Sequence, residues 1–182
     1  MATALPPEPA GVTGDAGTTL VDKYAAWDLA QRDGWLTLPH VTALGVDAAM
    51  MLAWHRGTLS LDGLVRLPAE VASLICWNAG DLHLRGLPTL DAAAAAALAR
   101  HTGLLALDGL EELLPDAAAA LADHRGGISL DGLASVPAEI AASLARSRGG
   151  LGLRGLATLS ADTASLLASH RGPLWLLSLI HI

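Results

Sequence analysis

Short stretches in which leucine alternates with other residues recur along the chain. Each is followed by apolar residues spaced three and four apart, and the whole pattern repeats every 23 residues. Gly34, Gly57, Gly80, Gly103, Gly126, Gly149 and Gly172 mark this register without insertion or deletion. With each glycine as position zero, positions two and four read Leu36/Leu38, Leu59/Leu61, Leu82/Leu84, Leu105/Leu107, Ile128/Leu130 and Leu151/Leu153. Successive side chains of a strand point to opposite faces, so leucines two apart share one face and predict a short strand in every unit. In the second half of a unit, Val71, Ala72, Leu74 and Ile75 lie at helical spacing within residues 68–77, which predicts a helix of two to three turns. Position fifteen is alanine in every unit (Ala49, Ala72, Ala95, Ala118, Ala141, Ala164), and position eighteen is Leu or Ile. Neither element is stable alone at these lengths. Stacking the units at about 4.8 Å per strand buries the leucine ladders between a parallel sheet and a layer of helices. The expected fold class is an α/β repeat solenoid, with short parallel β-strands on one face and short α-helices on the other. Six full units and the start of a seventh span residues 34–176.

Helix starts are marked by Asp91 and Ser160 as N-caps and by Pro68 and Pro137 near the first turn. Asp47, Glu70, Asp116, Glu139 and Asp162 stand where the helix dipole favours negative charge. The glycine that opens the next unit is expected to end each helix. Position six is also glycine from Gly63 to Gly155, with His40 the exception in the first unit.

The pattern Gly-x-Leu-x-Leu-x-Gly-Leu-x-x-Leu, followed by Ala-x-x-Leu-Ala-x-His, resembles the bacterial leucine-rich repeat proteins over residues 34–176. It departs from the familiar form in lacking an Asn or Cys ladder after the strand. The resemblance implies a leucine-rich-repeat solenoid acting as a non-catalytic recognition scaffold.

Composition agrees with a core of few, repeated positions. Leu and Ala supply 73 of the 95 hydrophobic residues, and there is no Phe. A net charge of −7 argues against a general nucleic-acid or anionic-membrane binder. No apolar run reaches the roughly 18 residues of a membrane helix, and no signal peptide is evident at the N-terminus. The lone Cys76 occupies an alanine slot and reads as a buried small hydrophobe, so a cytoplasmic setting is expected. Ten arginines against one lysine, with abundant Ala and Gly, point to a GC-rich bacterial genome.

Candidate chemistry is sparse. Residues 150–155 match G-x-G-x-x-G by letter, but Leu151 and Leu153 occupy core slots there, so a phosphate loop is not expected. His55, His101, His124 and His170 share position twenty-one, with Asn78 and Ser147 in the other two units. A line of imidazoles lacks the convergence a metal requires and reads as a hydrogen-bonding ladder near the helix ends, so no metal and no cofactor is expected. Trp54 and Trp77 share position twenty and are expected to stack on the helix C-terminal edge, either as packing or as a second small patch.

The functional candidate is the outward face of the sheet, positions one, three and five, which vary while their leucine neighbours do not. Its candidate partner-binding residues are Trp35, Thr37, Thr58, Ser60, Asp62, Asp81, His83, Arg85, Asp108, Ser129, Asp131 and Arg154, with the centre placed around Asp81, His83 and Arg85. Two readings stand: a surface for a protein or peptide partner, or a solvated face whose Asp and Arg side chains pair across strands. The chain is therefore expected to be a non-enzymatic protein-protein interaction scaffold. The alternative is the substrate-selecting region of a larger enzyme whose catalytic domain lies outside this sequence.

The ends differ from the repeats. Residues 1–19 read as a flexible leader and residues 20–33 as a capping helix whose Tyr24 and Trp27 cover the first core layer. Residues 177–182, Leu-Ser-Leu-Ile-His-Ile, look like a translated frame of a sequencing-library adapter, and on that reading the chain is expected to be a fragment whose repeats continue past Leu176.

Overall fold

The computed structural model describes residues 12–13 and 20–176. Strands β1 (Val12–Thr13) and β2 (Leu20–Val21) pair antiparallel ahead of helix α1 (Lys23–Ala30). Six strand-helix units follow: β3 (Leu36–Thr37) and α2 (Val46–Leu52), β4 (Leu59–Ser60) and α3 (Ala69–Ile75), β5 (Leu82–His83) and α4 (Ala92–Leu98). Next come β6 (Leu105–Ala106) and α5 (Pro115–Leu121), β7 (Ile128–Ser129) and α6 (Ala138–Leu144), β8 (Leu151–Leu153) and α7 (Ala161–Leu167), then β9 (Leu174–Leu176). Strands β3 to β9 form one parallel sheet in sequence order, and every residue pairs with the one 23 places on: Leu36 with Leu59, Leu59 with Leu82. The chain is thus an α/β repeat solenoid, and each helix packs against the next as each strand pairs with the next. The residues read as an adapter-like tail, 177–182, lie outside the described residues, as do residues 1–11 and 14–19 of the expected leader.

The core is the set of ladders. Leu59, Leu61, Leu82, Leu84, Leu105 and Leu107 are fully buried, as are Ala49, Ala72, Ala95 and Ala118, where alanine lets the helices approach the sheet. Asp91 and Ser160 cap their helices as expected: the Ala94 N–H donates to Asp91 Oδ1 at 2.6 Å and the Thr163 N–H to Ser160 Oγ at 3.1 Å. Cys76 is buried, its thiol donating to the Ser73 carbonyl at 3.3 Å, and burial raises its pKa above the ordinary thiol value.

Two expectations are corrected. The glycine opening each unit does not end the preceding helix. Helices stop at a right-handed C-cap such as Ala99 or Ala122, several residues earlier, and among the described residues only Gly34 has a positive φ. The glycines are required by stacking. A Cβ at Gly80 would lie 2.2 Å from the Gly57 carbonyl oxygen, and one at Gly109 would lie 1.8 Å from that of Arg85. His40, the exception, belongs to the first unit, and among the described residues no strand precedes β3 in the parallel sheet. The second correction concerns α1. Val21, Ala25, Ala26, Leu29 and Ala30 cover the first core layer, while Tyr24 and Trp27 face solvent at 76% and 51% exposure.

Candidate functional site

The parallel ladder sets what the outward face can offer. Backbone bonds run from positions two and four of one strand to the next, as in Leu59 N–H to Asp81 O at 2.8 Å and Leu61 N–H to His83 O at 2.9 Å. The donor at position five has no ladder partner, and aspartates supply one. The Arg85 N–H donates to Asp62 Oδ1 at 2.9 Å, the Asp131 N–H to Asp108 Oδ1 at 3.1 Å, and the Arg154 N–H to Asp131 Oδ1 at 2.8 Å. Asp81 does the same at the strand start, accepting from the Leu104 N–H at 2.9 Å.

The guanidinium groups close the pattern. Arg85 bridges Asp62 at 3.4 Å and Asp108 at 3.1 Å, and Arg154 meets Asp131 at 3.6 Å. These pairs are half-exposed, and each is worth well under about 1 kcal/mol. Their consequence is that the charges are mutually engaged. Ser60 donates to Asp62 at 3.0 Å, and Ser129 donates to Asp108.

The three residues at the centre of the face differ in what they expose. Asp81 and Arg85 are engaged as above, Arg85 while staying exposed, and His83 is only 4% exposed. Trp35, two units away, meets the His83 ring edge-on at 5.5 Å. Burial, and then the Arg85 charge, lower the His83 pKa below its ordinary value. The residues left open on the face are Trp35, 72% exposed, and beside it Thr37 and Thr58.

The remainder of the face is a shallow floor that the candidate residues did not include. Ala106 and Gly152 are buried, Gly127 and Gly150 carry no side chain, and Leu104 is exposed above them. At the far end Trp175 lies over Gly150, where a Cβ would come within 2.6 Å of the indole ring. The signal was visible as glycine and alanine at positions one and three of the later units. Residues 150–155 lie in and around β8, with Leu151 and Leu153 buried, which is a strand and no phosphate loop.

The histidine column lies behind the sheet's opening turns. His55, His124 and His170 place Nε2 at 2.9, 3.1 and 3.0 Å from the Gly34, Gly103 and Gly149 carbonyls, and His101 places Nδ1 3.2 Å from the Cys76 carbonyl. Asn78 substitutes by donating to His55 O at 2.6 Å and accepting from the Gly80 N–H at 3.1 Å. Burial lowers the pKa of His101 and His124, which fits neutral rings acting as single donors. Among the described residues no group of three or more His, Cys, Asp or Glu side chains could hold a metal ion, and no helix is long and apolar enough to cross a membrane. Trp54 and Trp77 stand 71% and 72% exposed on the helix C-terminal edge. Among the described residues neither is in a ring-ring contact.

No family model and no curated protein matches the chain.

Proposed function

We propose that the chain is a leucine-rich repeat protein of bacterial type that works in the cytoplasm as a non-catalytic scaffold, binding a protein or peptide partner on its strand face. The observation that carries this reading is the disposition of aromatic residues. In a chain with five tryptophans and one tyrosine, none of them is buried, although the core is otherwise closely filled with leucine. Aromatic side chains held in water at the expense of core packing are the usual anchors of binding surfaces. On the strand face Trp35 and Trp175 bound a floor of Ala106, Gly127, Gly150 and Gly152 beside the engaged Asp/Arg ladder, giving an apolar floor with a polar rim. The partner is therefore bound mainly through Trp35, Leu104 and Trp175 and only secondarily through the charged residues.

The test is selection of peptides from a displayed random library against the immobilised protein, followed by binding to variants. Thr58→Arg and Trp35→Ala, both at exposed or half-exposed positions, are expected to weaken the selected peptides by about tenfold or more while leaving the circular dichroism spectrum unchanged. Equal binding to parent and both variants refutes the strand face as the site.

A further inference from the structure

Charge is segregated on this solenoid. The edge at which helices return to strands carries Arg56, Arg125, Arg148 and Arg171 at one repeat position, and Arg100 and Arg146 two places earlier. All six are exposed, and none has a carboxylate within ion-pair distance among the described residues. Arg32 joins them from the end of α1, where it is paired with Asp28 at 3.4 Å, and Asp33 and Asp123 are the other acids of this edge. Seven of the ten arginines of an acidic protein therefore stand on one narrow edge.

That edge is also shaped and fixed. Two clefts of 490 and 480 Å³ open between successive helix ends, and Arg146 and Arg148 line both. Arg125 completes the first and Arg171 the second. A third cleft of 340 Å³ lies between Trp27 and Trp54, beside Arg32 and Arg56. The residue before Arg56, Arg125 and Arg171 is in each case a histidine, buried at His55 and His124 and half-buried at His170, bonded to a carbonyl of the preceding unit. Each arginine thus projects from a pinned turn, which lowers the entropy lost when it binds.

We propose that this edge binds an extended acidic segment of a partner protein, with carboxylates in the arginine clefts and an apolar side chain in the Trp27/Trp54 cleft. From Arg56 to Arg148 is four units, about 19 Å at strand spacing and about six residues of extended chain. Arginine forks match carboxylates in paired geometry, and unpaired guanidinium groups with adjacent tryptophans have hot-spot composition. Two other occupants fit less well. The opposite edge and the strand face are acidic, so a nucleic acid longer than this edge is repelled by the rest of the surface. A second copy would have to offer its own acidic edge, whose Asp47, Glu70, Asp116, Glu139 and Asp162 already sit in the first turns of helices.

The experiment uses the full chain and a fluorescein-labelled peptide of nine glutamates with one terminal leucine, read by anisotropy. Saturable binding is expected at about 50 mM salt, weakened at least about tenfold near 500 mM. The triple variant Arg125→Glu, Arg148→Glu, Arg171→Glu is expected to abolish it, while Trp54→Ala lowers affinity for this peptide and leaves that for an all-glutamate peptide unchanged. Circular dichroism checks the fold of each variant, and Glu112→Arg on the opposite edge serves as the control that binds at least as well as the parent. Absence of saturable binding overturns the proposal, as does equal binding by the triple variant. So does tighter binding of a single-stranded oligothymidylate, or self-association in sedimentation that the triple variant removes.

Discussion

Gly109 and Gly127 separate what the stacking demands from what it merely permits. An alanine Cβ at Gly109 would stand 1.8 Å from the Arg85 carbonyl oxygen, which is backbone and cannot swing away. Reaching a tolerable 3.0 Å requires β5 and β6 to part locally by about 1.2 Å. The backbone bonds flanking the site, Leu84 N–H to Ala106 O at 2.8 Å and Glu111 N–H to Pro88 O at 3.0 Å, would be stretched or lost. Each contributes about 1 kcal/mol net, and loosened packing of Leu107 and Leu110 adds about 1–2 kcal/mol. Against this stands about 0.4–1 kcal/mol gained from the less mobile unfolded chain, so Gly109→Ala is expected to cost about 2–4 kcal/mol. At Gly127 the new Cβ meets the Leu104 Cδ1 at 3.1 Å, the end of an exposed side chain that can rotate, and φ is not positive. Gly127→Ala is therefore expected to be neutral or to stabilise by about 0.5 kcal/mol. Urea unfolding followed by circular dichroism and tryptophan fluorescence measures both. Similar midpoints for the two variants refute the argument that carbonyl contact dictates the glycine ladder.

Three further outcomes follow from the ladders. Because His101 and His124 are held neutral by burial with folded pKa values below the 6.5 of the unfolded chain, the unfolded state binds the extra protons; their stabilising effect is complete above pH 6.5 and declines as pH falls below it, by up to about 1.4 kcal/mol per pH unit per histidine. Thermal melts should drop between pH 7 and 5 and drop less in the His101→Asn, His124→Asn double variant; an equal drop in both removes the histidines as the cause. Asn78→Ala strips buried groups of a partner at both His55 O and Gly80 N and is expected to cost about 2 kcal/mol in urea unfolding, whereas a cost near zero would mean water replaces the side chain. Asp108→Ala, which leaves the Asp131 N–H without its acceptor, should destabilise by about 1–3 kcal/mol, and Asp108→Asn, which keeps an acceptor oxygen, by less than half as much; equal losses would assign the effect to charge alone.

The sheet, its register and the buried ladders could be read from spacing, because a gapless 23-residue recurrence allows only one way of superposing the leucines. Helix caps at Asp91 and Ser160 were equally legible, since capping is local chemistry. Spacing is enough to group the strand-face residues, but it does not say how far each side chain is engaged by its neighbours. Whether Arg85 is free or held between Asp62 and Asp108 depends on side-chain reach across strands, which spacing does not encode. The burial of His83 beneath Trp35 was hidden for a related reason: the two residues are two units apart, and a large indole crosses the intervening strand.

The sequence by itself determined a solenoid with one repeating core layer, because identical residues at a fixed interval can only make identical contacts. Tertiary structure decided which polar groups remain for a partner. Stacking brings each position within reach of its counterparts in neighbouring units, so aspartates are drawn to exposed backbone N–H groups and arginines to aspartates on the strand face. On the helix-return edge acids are few, and apart from Arg32, which meets Asp28, the arginines form no ion pair among the described residues.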